Sequence, residues 1–208
     1  MKKIIVCFCA LFLILACVKS PTQKAEALIK SEKIKTISKS TTYEVIETTV
    51  DSAFAPKDDP EFFKQMEEAT QMNDRYNALQ KEISELKDSI ALISQRPELK
   101  MEYEDLVQKR KNLEWESDVV KEKGRAKYYQ LMEVAASEPK FIGFKAMHTY
   151  RIHNEAGSTL PTTEFYLFDT EMNQIKYSCD SIYYAEAQEG IQNLLYAKAI
   201  KDDREGNE

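Results

Sequence analysis

Apolar positions change their spacing several times along the chain, and each change marks an expected element. A Lys-, Ser- and Thr-rich stretch runs from Val18 to about Ser40, and within it Ala25 to Ile34 has the composition of a short helix. Tyr43, Val45, Ile46, Thr48, Thr49, Val50 and Phe54 then form a β-branched and aromatic run that predicts a strand stopping at Ala55-Pro56. Asp59-Pro60 is a helix start, because Asp caps free backbone N–H groups and Pro at the first helical position has none to lose. From Met72 the apolar residues step by four and three through Tyr76, Leu79, Ile83, Leu86, Ile90 and Ile93, a heptad seam. Phe62, Met66 and Ala69 approach the same face but break the step, so the seam is expected to change partner near residue 70.

Gln95-Arg96-Pro97 closes this helix, since the residue before Pro is disfavoured in the α region. A second helix carries Leu99, Leu106, Leu113 and Val120 at seven-residue spacing, while the alternate seam positions are Tyr103, Arg110, Ser117, Gly124 and Leu131. So short a break between long helices forces them to fold back, predicting an antiparallel hairpin over 58–136 with arms of roughly 55 Å at about 1.5 Å per residue. Arg110, Ser117 and Gly124 make the second stripe one-sided. That fits either a weak two-helix seam or a groove completed by another element, and both leave the hairpin under-buried on its own.

Beyond Pro139 the period becomes two. Ile142, Phe144, Ala146, His148, Tyr150 and Ile152 define one face of a strand over 141–154, with Lys145, Thr149, Arg151 and His153 on the other. Glu155-Ala156-Gly157-Ser158 reads as a turn and Glu164 to Phe168 as a second strand. After a tight connection over Asp169 to Gln174, a third strand runs from Ile175 to Tyr183 with Ile175, Tyr177, Cys179 and Tyr183 on one side. A short helix with Ile191, Leu194 and Leu195 and an acidic tail over 201–208 complete the chain. The expected fold is α+β: a small, mainly antiparallel sheet domain over 41–57 and 137–200, with the coiled-coil-like hairpin of 58–136 inserted into it.

The amino terminus has a different logic. Lys2 and Lys3 precede an apolar run from Ile4 to Ala16, too short for a span that needs about 20 apolar residues, and the chain turns polar at Lys19 and Ser20. A basic start, a short apolar stretch and a small residue before the cut describe a secretory signal peptide. The residues alone also fit an ordinary secretory signal cut elsewhere or an uncleaved apolar anchor. Ile14-Leu15-Ala16-Cys17 resembles the lipobox of bacterial lipoproteins, with Leu15 where that family often has a smaller residue. The resemblance implies removal of residues 1–16, diacylglyceryl transfer to Cys17, further acylation with chains such as palmitate, and a lipidated tether over 17–40. It implies a membrane-anchored envelope protein facing the periplasm or the cell exterior, and carries no activity.

Loss of residues 1–16 takes two lysines and no acid, moving the formal charge from -6 to -8. Such a surface repels anionic lipid, so acyl chains must supply the attachment, and it argues against nucleic acid as a partner. Cys7 and Cys9 would leave with the signal, so Cys179 would be the one free thiol and an intramolecular disulfide is not expected.

Candidate chemistry is sparse. His148 and His153 fall on opposite faces of a strand and cannot share a metal without a bulge; His148 reads as a core histidine. Cys179 sits among apolar strand neighbours that raise a thiol's pKa. Asp169, Glu171, Asn173 and Asp180 have the start of a calcium-loop spacing, but Gln174 stands where the sharp turn needs Gly, and a hairpin turn accounts for the same residues. Ser84–Lys87 and Ser137–Lys140 match Ser-x-x-Lys without the companion motifs of acyl-transfer enzymes. No catalytic residue, metal ligand or cofactor is assigned.

Trp115 lies off the main seam with Val119 one turn later, the arrangement of an aromatic anchor for a partner, unless the sheet domain or last helix covers it. The expected role is a non-enzymatic interaction or scaffold module acting through the hairpin, on another protein or a second copy. The alternative is a ligand-binding or hydrolytic site on the polar face of the sheet near Arg151, His153 and Glu164.

Overall fold

The computed structural model describes residues 19–37, 41–154, 157–158 and 160–205. The expected signal peptide, Cys17, the first half of the turn after Asn154 and the last three residues of the tail lie outside them. The fold is α+β, with an antiparallel sheet and a long antiparallel helical hairpin, in two compact units. One comprises the chain up to Asp58 with Pro139–Glu186; the other comprises Asp59–Glu138 with Ala187–Glu208.

The sheet unit opens with α1 (Pro21–Thr36), where Ser20 accepts from the Gln23 N–H at 3.2 Å and the Gln23 side chain accepts from the Ser20 N–H at 3.1 Å. The strands are β1 (Thr42–Ala55), β2 (Lys140–Asn154), the two-residue β3 (Gly157–Ser158), β4 (Thr162–Phe168) and β5 (Ile175–Asp180). Their order is β1-β2-β4-β5 with β3 paired to β2, and every pairing is antiparallel.

α1 buries Ala25 and Ile29 against Ala146, Tyr166, Phe168 and Met172. Most of the expected tether is therefore a docked helix, longer than Ala25 to Ile34. Two buried residues one turn apart, with Leu28 partly buried beside them, suffice because the sheet, not helix propensity, holds the helix. On the opposite face Ala53, Phe165 and Leu167 pack with Ile142, Met147, Tyr177, Cys179 and Tyr184. β4 is thus covered on both sides.

Bulges correct two of the expected faces. β1 pairs Ala53 with Gly143 and Phe54 with Phe141, leaving Ile142 as the extra residue; Ile142 and Phe144 therefore join opposite cores. Gly143 has φ 142°, and a Cβ there would meet the Phe168 carbonyl oxygen at 2.1 Å. At the other edge Leu167 pairs with Tyr177 and Phe168 with Ile175, so Lys176 is extra and Ile175 leaves the side that holds Tyr177 and Cys179. The third strand also ends sooner than expected, and Tyr183 belongs to the following helix.

The helical unit contains α2 (Pro60–Ile93) and α3 (Lys100–Ala135), of 34 and 36 residues, joined through a 3-10 turn at Pro97–Leu99. At about 1.5 Å per residue the arms are roughly 51 and 54 Å long. Asp59 caps α2 by accepting from the Glu61 N–H at 3.0 Å. Leu79, Ile83, Leu86 and Ile90 are buried along the seam, as their spacing requires. Arg75–Glu116 at 2.6 Å and Lys109–Glu82 at 2.8 Å cross between the arms, in keeping with the antiparallel register.

The last helix, α4 (Ser181–Glu205), is far longer than expected, its first residues counted with the sheet unit and the rest with the helical unit. Gly190 costs about 1 kcal/mol relative to Ala, but burial of Ala187, Ile191 and Leu194 outweighs it. Lys198 and Lys201 reach Glu133 on α3 at 3.4 and 3.8 Å, and Lys201 also pairs with Glu205, which keeps the expected tail helical to that point.

Candidate functional site

Within the helical unit, the seam changes character near residue 70, where α4 joins the two arms. Toward the hairpin tip the one-sided stripe has the expected consequence: Leu106, Leu113 and Val120 are only half-buried. Ser117 is fully buried and accepts from Gln80 Nε2 at 2.7 Å, so the polar position is paired across the seam. Gly124 faces Met72, with 3.7 Å available between an added Cβ and the Met72 Cβ.

Where the third helix arrives, the packing leaves a groove of about 510 Å³. Met66, Met72 and Tyr76 of α2, Val120, Tyr128 and Leu131 of α3, and Leu194 of α4 form its walls. Gly124 and Gly190 form part of the lining, and Lys121 and Arg125 lie on the α3 side. Arg125 rests over the ring of Tyr129 at 5.6 Å. The broken step near Ala69 and the small residue at Gly124 are local signs of this groove, whereas its third wall comes from α4, which no pattern within α2 or α3 specifies.

Trp115 is 71% exposed on α3 and Val119 is half-buried. Leu92 and Met101, on α2 and α3 near the Pro97 turn, are exposed as well.

The polar residues of the sheet unit form a different kind of arrangement. Glu164, opposite His148 across β2 and β4, lies beneath α1 and accepts from Lys33 Nζ at 2.7 Å, from the Tyr150 hydroxyl at 3.0 Å and from the Tyr166 hydroxyl. Burial works against the charged carboxylate, yet the Lys33, Tyr166 and Tyr150 bonds outweigh it and hold Glu164 below the usual carboxylate value. Burial also opposes the Lys33 charge, and the Glu164 partnership reverses the effect, leaving Lys33 raised.

His148 is fully buried, between the Tyr43 hydroxyl at Nε2 and Thr48 Oγ1 at Nδ1, 2.8 Å away. Burial pushes its pKa below 6.5. With one ring nitrogen accepting and the other donating, neutral imidazole satisfies both partners. The reading of His148 as a core histidine stands on these contacts.

Arg151, His153 and Glu164 are not brought together. His153 Nε2 contacts Glu44 at 2.6 Å and Arg151 lies 3.9 Å from the same carboxylate, whereas Glu164 is engaged beneath α1. The alternation of β2 separates them, and with it the expected site on the polar face. Cys179 is half-buried, and burial pushes its thiol up. Asp169 accepts from the Asn173 N–H at 2.7 Å as part of the β4–β5 turn. Among the described residues no group of three or more His, Cys, Asp or Glu is placed to hold a metal, and no helix is long and apolar enough to cross a membrane. Comparison with family models, with curated proteins and with solved structures found no match.

Proposed function

We propose that this protein is a lipid-anchored component of a bacterial cell envelope, held at a membrane surface through Cys17, and that its helical hairpin docks another protein with Trp115 as the anchor. The observation that carries the docking is the 71% exposure of Trp115 on a helix whose opposite side is packed. A large aromatic left in water on a rigid helix contributes to association when it enters a partner's pocket, and Trp is among the side chains most often found in that role. The half-buried Val119 one turn later extends the same patch. The acyl chains would confine the protein to two dimensions and raise its local concentration near a partner in the same membrane.

The test compares native protein, cross-linked in envelopes and purified after solubilisation, with a Trp115→Ala variant. The expected result is a cross-linked protein that is lost in the variant while far-UV circular dichroism is unchanged. A cross-linked band of twice the chain's mass would assign the patch to self-association, and an identical cross-linking pattern in both forms would refute docking through Trp115. The anchor is tested separately by mass spectrometry of the amino-terminal peptide. An acyl-modified Cys17 is expected, and an unmodified one refutes that part of the reading.

A further inference from the structure

We propose that the three-helix groove of the helical unit binds a single-chain anionic amphiphile, a free fatty acid, with its tail between Met66, Met72, Leu131 and Leu194 and its carboxylate at Lys121 and Arg125. This goes beyond protein docking and does not involve the Trp115 patch.

About 510 Å³ lies within the range of roughly 300–1,000 Å³ typical of sites that enclose a small molecule. Two methionines on the α2 wall give a lining that adjusts to flexible chains, since thioether side chains are unbranched and polarizable.

Gly124 and Gly190 stand in the interiors of α3 and α4, where each costs about 1 kcal/mol relative to Ala. Helix packing does not demand them: an added Cβ would stand 3.7 Å from the Met72 Cβ at one and 3.6 Å from Met66 Sδ at the other, both ordinary contacts. What their missing side chains do is keep the groove open.

Charge then chooses the head group. The chain has 35 acids against 29 bases, yet the charged residues lining the groove are Lys121 and Arg125, one turn apart on α3, with no carboxylate among the described lining residues. An apolar trough with two cations on one wall matches a tail that ends in an anion, and disfavours a cationic or uncharged amphiphile of the same length.

The protein from Lys19 onward, which includes every contact described above, is titrated with 11-(dansylamino)undecanoic acid, followed by displacement with laurate, 1-dodecanol and dodecylamine. Laurate is expected to displace the probe at least about tenfold better than the alcohol or the amine, and a Lys121→Glu/Arg125→Glu form to bind laurate about tenfold or more weakly. Gly124→Leu, which fills the groove, should abolish probe binding. The charge-reversed form keeps the apolar packing, so it remains informative if Gly124→Leu fails to fold. No probe binding at up to about 100 µM, or equal displacement by laurate and dodecanol, would overturn the proposal. Binding to vesicles of dilauroyl phosphatidylglycerol with none to laurate would overturn the free acid in favour of membrane lipid. Trp115→Ala should bind the probe normally, so failure of this site and failure of protein docking are distinguishable.

Discussion

Asp58 is 1% exposed, and its carboxylate gathers four contacts from three parts of the sheet unit. Lys145 Nζ donates to both oxygens at 2.9 and 3.0 Å, the Tyr184 hydroxyl donates at 2.7 Å, and the Phe54 N–H donates at 2.9 Å. Asp58→Ala removes the acceptor and leaves an ammonium, a hydroxyl and an amide facing one another. Breaking a buried ion pair from one side costs about 3–5 kcal/mol. The Lys145 side chain is 21% exposed and recovers some hydration, which places the expected loss near the lower end, about 3 kcal/mol.

Native-state hydrogen exchange is the suitable assay, because Trp115 fluorescence reports the helical unit rather than the sheet. A loss of about 3 kcal/mol corresponds to roughly 100-fold faster exchange of the protected β1 and β2 amides. Lys145→Met should cost a comparable amount, since it strips the buried carboxylate of its charged donor. The double variant should cost less than the sum, because the buried charge that each single change strands is then absent, while the Phe54 N–H and Tyr184 hydroxyl still lack the Asp58 acceptor. A loss below about 1 kcal/mol for Asp58→Ala, or strict additivity of the two changes, would refute the reasoning.

Gly143→Ala should destabilise the sheet unit by about 3 kcal/mol or more, because φ 142° and the 2.1 Å approach of a Cβ to the Phe168 oxygen require the bulge to move; Gly124→Ala in α3 should instead stabilise by up to about 1 kcal/mol. Thermal unfolding of the two variants settles the signs, and a neutral Gly143→Ala would sink the account of the bulge. His148, with its folded pKa below 6.5, contributes stability that is complete above pH 6.5 and is lost as pH falls through the folded pKa, since the unfolded chain takes up the proton first. Glu164, held below 4.5, adds a second loss beneath that value, so urea titrations should show declining stability from about pH 6.5 downward and a His148→Gln variant a flatter profile between pH 6.5 and 4.5. Equal slopes in both forms would show that His148 is not the titrating group.

Much of this architecture was legible in local pattern. Asp59-Pro60 and Pro97 bounded α2, the spacing from Met72 to Ile93 identified its buried face, and the period of two from Ala146 to Tyr150 identified that of β2. Each depends on residues a few positions apart, so backbone geometry alone connects them. Elements were misread where a distant partner overrides a local signal: α1 is held by the sheet, and α4 runs through Gly190 because Ile191 and Leu194 are buried. The expected polar site near Arg151, His153 and Glu164 does not form because strand alternation places Glu164, opposite the buried His148, on the face beneath α1, while Arg151 and His153 turn to Glu44 on the other.

By itself the sequence determined the fold class, the antiparallel hairpin and the core position of His148, all consequences of periodicity, caps and breaks within one segment. Tertiary structure alone decided that Tyr43 and Thr48 meet His148, that Lys145 and Tyr184 meet Asp58, and that α4 turns a gap in a heptad seam into a groove. Those pairings join residues that chain order keeps far apart, and only the packing of whole elements, bulges included, determines which of many equally suitable partners each side chain reaches.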